Sequence, residues 1–498
     1  MNKRLLIVNR GEIAIRIMRT AKMMGITTVV LQSGREPDAL YLQQADQIIS
    51  VNDSADEKTV FLNPEKVIAL ALENQIDMIH PGYGFLSENP DFADLCMQNG
   101  LNFIGPSPEL IRSMGLKTVA KEMALKAGMP LVPGSNGAVS SAEEAVQLAE
   151  TIGYPVLLKA SAGGGGRGMR VVEKPETMER NFKSAADEAI SAFGNGDLFV
   201  EKYIVNPKHI EFQILGDKHG HVVHLGEREC SLQRKHQKMI EEAPSPSLSD
   251  EKRREMGEMA VRFSETIGYY SAGTIEFIMD EDGSYYFMEM NTRIQVEHPV
   301  TEMVTDIDLI EWQIKIALGE PLTLQQSDIQ LQGWAIECRV NTEDAQNRFA
   351  PETGFIENVR FPEGPGIRVE TGIANGSVIT PYFDSMAAKL VVLDSNRDKA
   401  IGKMIRALDA VRMTGLKTTI PFCKVVLQHP DFTSGIYTTR WVDDNYSPDM
   451  FYNEDDEMLG ALAASIAYAM EYNEIASNSP GFTNESMSMW VLNKRINK

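Results

Sequence analysis

The segment TIEFIMDEDGSYYFMEMN, residues 274–291, leaves the chain few ways to fold. Two runs of alternating character flank Asp282-Gly283, a favoured composition for a two-residue hairpin turn. A turn on those residues sets Glu281 opposite Ser284, and the register then runs back to put Glu276 opposite Glu289. Side chains alternate between faces along a strand. Ile275, Phe277, Met279, Tyr286, Met288 and Met290 are therefore expected on an apolar face, and Thr274, Glu276, Glu289 and Asn291 on the other. Like charges directly opposite each other destabilise a sheet, and a cation between them removes the conflict. Two carboxylates and an amide oxygen are hard donors suited to Mg2+ or Mn2+, ions that also carry phosphate groups. The alternative is a solvated acidic face.

A second hairpin is expected around KASAGGGGRGMRVV, Lys159 to Val172. Glycine gives up more backbone freedom on ordering than any other residue, so the run answers a need. One such need is bare N–H groups brought close to a bulky anion such as a nucleotide triphosphate. Gly163, Gly165 and Gly168 match GxGxxG, but a strand-like MRVVEK follows where a dinucleotide fold has a helix. Gly168 is followed by Met169, which excludes a Walker A loop. What remains is a glycine-rich flap with Lys159 at its base, or a flexible surface hairpin.

Two further clusters carry chemistry. NTRIQVEHPVTE holds Arg293 and Gln295, which can grip a planar anion, and Glu297, which can act as a base toward it. LQRKHQKMIEE adds Gln233, His236 and Lys238, a cationic and hydrogen-bonding group in a chain of formal charge -22. That charge excludes nucleic acid and anionic membrane as main partners. Cys96, Cys230, Cys338 and Cys423 lie far apart without a CxxC pair, so buried free thiols in a reducing cytoplasm are expected. No long apolar run marks a membrane span.

Along the chain, RLLIVNR, GEIAIRIMRTAKMMG, ITTVVLQS, PEKVIALALENQ and IDMIHPG alternate strand and helix patterns, which predicts a parallel sheet covered by helices. Antiparallel pieces mixed with helices follow, an α+β pattern. From WAIECRVN come short strands between Pro and Gly turns, then the helical DKAIGKMIRALDAVRM. The tail carries MLGALAASIAYAMEY, expected as a short helix.

In these stretches the sequence resembles the biotin carboxylases of the ATP-grasp fold, over roughly residues 1–445. The resemblance is carried by VNRGEIAIRI, HPGYGFLSEN, FIGP, KASAGGGGRGM, VEKYI, HIEFQI, ERECSLQRKHQK, GTIEFI, MEMNTRIQVEHPVTE and PYFDSMAAKL, in that order. It implies a Rossmann-like N-terminal (pre-ATP-grasp) domain over 1–115 and an ATP-grasp domain over 116–330, with a glycine-rich lid at about 131–203. A biotin carboxylase C-terminal domain over 331–445 and an extension over 446–498 complete the division. The implied ATP contacts are Lys117, Lys159, Gly163, Gly164, Gly165, Gly166, Glu201, Lys202, Ile204, His209, Gln233 and His236, with Glu276 and Glu289. Metal ligation falls to Glu276, Glu289 and Asn291, and bicarbonate to Arg293, Gln295 and the Val296 backbone beside Lys238. Glu297 is the implied base, and Arg339 the group that stabilises the biotin enolate. Arg167, Leu116 and Ile294 stand where the family often has Lys, Asp and Leu.

The implied activity is ATP- and bicarbonate-dependent carboxylation of biotin through carboxyphosphate, the first half-reaction of an acyl-CoA or pyruvate carboxylase. No Ala-Met-Lys-Met setting occurs, so biotin is expected on a separate carrier protein, with a carboxyltransferase subunit as further partner and a homodimer as the assembly. The competing readings are another ATP-grasp ligase working through an acyl phosphate, and a nucleotide-binding regulator without turnover.

Overall fold

The computed structural model describes residues 3–51, 59–135, 137–160, 169–193, 196–451 and 454–477. The chain divides into a body, Met1–Tyr446, and a C-terminal unit, Ser447–Lys498.

In the first third of the body, β1 (Arg4–Ile7), β2 (Thr27–Ser33), β3 (Gln47–Val51), β4 (Met78–His80) and β5 (Asn102–Phe103) form the expected parallel sheet, ordered β3-β2-β1-β4-β5. Parallel sheets are buried on both faces, and Leu5, Leu6 and Ile7 are all inaccessible. The covering helices start where the sequence caps them. Asn63 and Asn89 each accept a backbone N–H of the first turn, from Lys66 and Phe92, with Pro64 and Pro90 opening helices Pro64–Glu73 and Pro90–Gln98. Helix Gly11–Met23 buries Ile13, Ala14, Ile17 and Ala21, one stripe at helical spacing. Its first residues follow the carboxyl end of β1, the place where open α/β sheets gather ligands.

An antiparallel sheet of β6 (Val156–Ala160), β7 (Met169–Val172) and β8 (Leu198–Lys202), ordered β7-β6-β8, flanks the glycine run in sequence. Helices Ala142–Ile152 and Met178–Phe193 cover the sheet through small side chains, Ala145, Ala149, Ala185 and Ala189. Gly163 to Gly166, between β6 and β7, lie outside the described residues.

The catalytic scaffold is an eight-stranded antiparallel sheet. β9 (Lys208–Gly216), β10 (Val222–Arg234), β11 (Gln237–Ala243), β12 (Ser271–Met279), β13 (Tyr285–Asn291) and β14 (Trp334–Asn341) are joined by strands Met386–Asp394 and Ile367–Thr371. The order is β13-β12-β9-β10-β11-β14, then Met386–Asp394, then Ile367–Thr371. The sheet thus passes unbroken from the central segment into the C-terminal third. One fully buried side chain ties its middle: Arg228 donates to Glu211, Gln213, Thr274 and Thr301, reaching across three strands.

The hairpin expected at Asp282-Gly283 forms, and Glu276 faces Glu289 with Thr274 facing Asn291. The route differs. Asp280 N–H donates to the Ser284 carbonyl at 2.8 Å, so the loop holds three residues, with Gly283 at φ 82° where a side chain is disfavoured. This slips the pairing by one, to Phe277 opposite Phe287, and a bulge between there and Glu276 slips it back. The apolar face of β13 is consequently Tyr285, Phe287 and Met290, not the expected Tyr286, Met288 and Met290, and Met288 is 39% exposed.

In the C-terminal unit, helix Glu454–Ser477 is longer than the short helix expected. From Met458 to Met470 it carries no charged residue, and every side chain over that span is exposed. Residues 478–498 lie outside the described residues. Among the described residues no helix is long and apolar enough to cross a membrane. All four cysteines are free and buried, as expected.

Candidate active site

A cleft of about 760 Å³ opens over the eight-stranded sheet. Loops from the carboxyl end of the parallel sheet (Asn9 to Glu12, Tyr83 to Phe85) wall one side, and the Thr380 to Met386 segment another. Its floor brings together His209, His236, Lys238, Glu276, Glu289 and Asn291. Arg293, Gln295, Val296, Glu297 and Arg339 complete it.

Glu276 and Glu289 differ sharply in surroundings. Glu276 is buried and accepts from Asn291 Nδ2 at 2.9 Å and Lys238 Nζ at 3.2 Å, with His209 Nε2 at 3.0 Å. Burial pushes its carboxyl up, but Lys238 and His209 outweigh that and hold it far below the ordinary range. Among the described residues Glu289 pairs with Lys117 Nζ, at 4.0 Å, and it is pushed up by burial and then by Glu276. A raised carboxylate facing an ionised one is a pair with room for a cation. Glu276, Glu289 and the Asn291 amide oxygen are hard donors on one face, so the residues fit Mg2+ or Mn2+.

Lys238 is the electrostatic centre. Its ammonium donates to Glu211 at 2.6 Å, Glu297 at 2.6 Å and Glu276 at 3.2 Å, which uses all three protons. Burial pushes it down, but the three carboxylates prevail and keep it charged. His209, Glu211 and Glu276 offer ligand atoms close enough for a metal, as do Glu211, Cys230 and Glu297. The Lys238 ammonium bonds carboxylates of both groups. Glu297, 1% exposed, also accepts from Arg339 Nη2 at 2.9 Å. Burial raises the Glu297 carboxyl, yet Lys238, Arg339 and Arg228 hold it well below the usual range, so it is ionised. Arg339 is anchored in turn by Glu241, at 2.6 Å from Nε.

Arg293 closes the far side. Its Nε donates to Glu88 at 2.8 Å, Nη1 to Gln295 Oε1 at 2.9 Å and Nη2 to Asn291 Oδ1 at 3.2 Å. The Val296 carbonyl accepts from the buried Lys389 at 2.7 Å, which fixes the backbone between Gln295 and Glu297. Each nitrogen of Arg293 and the Lys238 ammonium already bond within the protein, so an anion reaches them by exchange with Glu88 or the Glu297 carboxylate.

The hairpin β10–β11 delivers His236 and Lys238. It turns on Lys235 and His236, both left-handed (φ 49° and 64°), in the primed geometry that suits a two-residue hairpin. Two such residues without glycine store about 1 kcal/mol or more each, strain of the kind kept at functional sites. Gln233 sits opposite Lys238 in this register and is largely buried. The remaining sequence candidates are not among the residues that line the cleft. Glu201 accepts from Lys121 at 2.8 Å and meets Lys159 at 3.5 Å, while Ile204 is buried. The Lys202 ammonium donates to the Gly153 carbonyl at 3.1 Å.

Sequence reasoning missed Glu211, Glu88, Glu241 and Lys389. Glu211 had a signal: it lies two residues from His209 on a strand, hence on the same face, and pairs with Glu276. Glu88 and Lys389 act across distant segments, for which spacing carries no signal.

Family profiles match three consecutive regions. "Biotin carboxylase, N-terminal domain" covers residues 1–111, "Carbamoyl-phosphate synthase L chain, ATP binding domain" 117–325, and "Biotin carboxylase C-terminal domain" 337–444. A biotin carboxylase of Nostoc sp. is 50% identical over 439 residues, 88% of this chain and 98% of that protein. The chain belongs to the biotin carboxylase family. Biotin carboxylases are ATP-dependent ligases, and the two competing readings fall away. The small subunit of a 2-oxoglutarate carboxylase from Hydrogenobacter thermophilus is 49% identical over 471 residues, 94% of this chain and 99% of that subunit. A crystal structure of the biotin carboxylase domain dimer of that enzyme, in complex with MgADP, ADP and bicarbonate, superposes with a TM-score of 0.82. Its identity is 50%, covering 91% of this chain and all of that one.

Proposed function

We propose that this chain carboxylates biotin, presented on a separate carrier protein, using ATP and bicarbonate, as the first half-reaction of a multisubunit carboxylase. The observation that carries the residue roles is Glu297, ionised and held between Lys238 and Arg339, with Arg293 and Gln295 on the same wall. Bicarbonate takes the place of internal partners on Arg293, Gln295 and Lys238 and accepts from the Val296 N–H. Its arrival draws Lys238 and Arg339 toward the new anion, and the Glu297 carboxylate they release becomes basic enough to take the bicarbonate proton.

A bicarbonate oxygen then attacks the γ-phosphorus. The new P–O bond forms as the bond to the ADP oxygen breaks, giving carboxyphosphate, and Lys117, Lys159 and Lys238 offset the charge. Glu276, Glu289 and Asn291 would hold Mg2+ or Mn2+, which would supply positive charge to the phosphate oxygens. Glu201, Lys202, Ile204, Gln233, His209 and His236 orient the nucleotide, and Gly163 to Gly166 are assigned to its phosphates from the sequence. Carboxyphosphate splits to CO2 and phosphate, and phosphate removes the ureido N–H proton of biotin. Arg339 steadies the resulting enolate, which attacks CO2. The cleft must exclude water, because water would consume carboxyphosphate.

The division at 1–115, 116–330, 331–445 and 446–498 is proposed as the working set of parts. Its support is the three matched regions, 1–111, 117–325 and 337–444. For the C-terminal unit, the proposed occupant of the uncharged helix surface is the carboxyltransferase-bearing subunit. In support, the 2-oxoglutarate carboxylase small subunit matches over 471 residues, against 439 for the Nostoc biotin carboxylase. The body is proposed to pair as a homodimer. ATP cleavage measured with and without bicarbonate, and with free biotin added, tests the activity. Cleavage should need bicarbonate and rise with biotin; equal rates in bicarbonate-depleted buffer would refute it.

A further inference from the structure

Behind Arg339 lies a second pair of opposed carboxyls that the reaction scheme leaves unused. Glu241 on β11 and Glu337 on β14 are register partners on adjacent antiparallel strands, so their side chains share a face about 5 Å apart at Cβ. Both are completely buried. Glu241 spends one oxygen on Arg339. Its other oxygen, and both oxygens of Glu337, have no hydrogen-bond partner among the described residues. Two fully ionised carboxylates cannot be tolerated so close in a dry interior.

We propose that Glu241 and Glu337 form a one-proton dyad that positions Arg339: Glu337 keeps the proton and donates it to the free oxygen of Glu241, whose remaining charge anchors the guanidinium against Glu297. One O–H then pairs two orphaned oxygens at once. The charged and titratable groups around the pair fit this state. Arg339 lowers both carboxyls, Lys389 lowers Glu337 and Lys238 lowers Glu241, Glu297 raises both, and the thiols Cys230 and Cys338 add no positive charge. Burial is the largest influence on both carboxyls and raises both, so the pair retains a proton above the ordinary carboxyl range.

The consequence for the reaction rests on the assignment of Arg339 to the enolate. When Glu297 takes the bicarbonate proton it loses its hold on Arg339. Glu241 is then the one carboxylate still bonded to the guanidinium, keeping Nη2 aimed into the cleft for the biotin step. Loss of the dyad proton would place a second charge behind Arg339 and draw it back from the substrate.

The test uses the full-length chain and the variants Glu337→Gln, Glu337→Leu and Glu241→Gln. First, infrared difference spectra of wild type minus Glu337→Gln at neutral pH should show the C=O stretch of a protonated carboxylic acid. Its absence overturns the proposal, and this readout needs no activity, so it stands apart from the assignment of the reaction. Second, Glu241→Gln and Glu337→Leu should each lower biotin-stimulated ATP cleavage on the order of tenfold more than biotin-independent cleavage. Glu337→Gln, which keeps a donor at that site, should rescue most of the Leu loss. Third, the wild-type biotin-stimulated rate should fall as pH rises and the dyad loses its proton, and Glu337→Gln should lack that fall. Equal losses in Glu337→Gln and Glu337→Leu, or an unchanged alkaline fall in Glu337→Gln, overturn it. Should Glu241→Gln fail to fold, the Glu337 variants still decide.

Discussion

Replacing Glu276 and Glu289 by glutamine, singly and together, separates their shared role from their unequal structural ones. Glu276→Gln removes a buried charge on which Lys238, His209 and Asn291 converge. Hydrogen bonds to charged groups contribute about 1.5–3 kcal/mol each. Glutamine keeps one acceptor oxygen and Lys238 keeps Glu211 and Glu297, so a net loss of roughly 2–3 kcal/mol is expected. Glu289→Gln removes a carboxylate 43% exposed at the side chain, which pairs at 4.0 Å with an exposed lysine, Lys117. Such a pair is worth about 0–1 kcal/mol at most, and relief of the repulsion from Glu276 cancels part of it. Thermal unfolding without metal should therefore fall clearly for Glu276→Gln and hardly at all for Glu289→Gln. The Mg2+ concentration for half-maximal ATP cleavage should nonetheless rise in both. The double variant should rise less than the two effects combined, with an interaction of about 0.5–3 kcal/mol, because the carboxylates share an ion. Independent effects on Mg2+ dependence, or equal destabilisation by the two substitutions, would refute the reasoning.

Three further outcomes follow from the same geometry. Glu297→Gln should leave ATP affinity nearly intact and lower turnover by about 10²–10⁴, measured as kcat and KM for ATP; a normal rate would remove Glu297 from the proton transfer. Because the folded Glu297 carboxyl lies below its unfolded value, the unfolded chain binds more protons as pH falls, and the stability Glu297 adds is present above about pH 4.3 and lost below it. The gap in unfolding temperature between wild type and Glu297→Gln should shrink on acidification, and a gap independent of pH would contradict the ion pairing. A chain ending at Tyr446 should keep bicarbonate-dependent ATP cleavage with free biotin but lose capture of the carboxyltransferase-bearing subunit in a pull-down, and unchanged capture would show that the C-terminal helix is dispensable for assembly.

Much of the fold was legible because its signals are local. The strand and helix patterns of the first third predicted the parallel sheet, and the four dispersed cysteines predicted free buried thiols. The pairing of Glu276 with Glu289 was legible too, although two irregularities that cancel produce it. Asp282-Gly283 favours a two-residue turn, but Gly283 instead ends a three-residue loop, and the bulge that restores the register depends on packing Phe287 and Met290 into the core. Periodicity alone could not place that bulge, so it mistook Met288 for a core residue. The cleft candidates near one another in sequence, Arg293, Gln295 and Glu297, could be recognised from residue type. Their anchors could not. Glu88 reaches Arg293 across 205 residues and Lys389 reaches Val296 across 93, contacts fixed by tertiary folding alone. Glu241 and Glu337 become a pair when β11 and β14 meet, and neither position alone signals it.

The central claim is that bicarbonate, not water, attacks the γ-phosphate in this cleft. Cleavage of ATP in the presence of oxygen-18-labelled bicarbonate tests it most directly, because the attacking oxygen stays on phosphorus when carboxyphosphate breaks down. Mass spectrometry of the released phosphate should show one labelled oxygen per phosphate, both without biotin and during biotin carboxylation. Phosphate carrying no label from bicarbonate, or label only when the solvent water is enriched, would contradict the account.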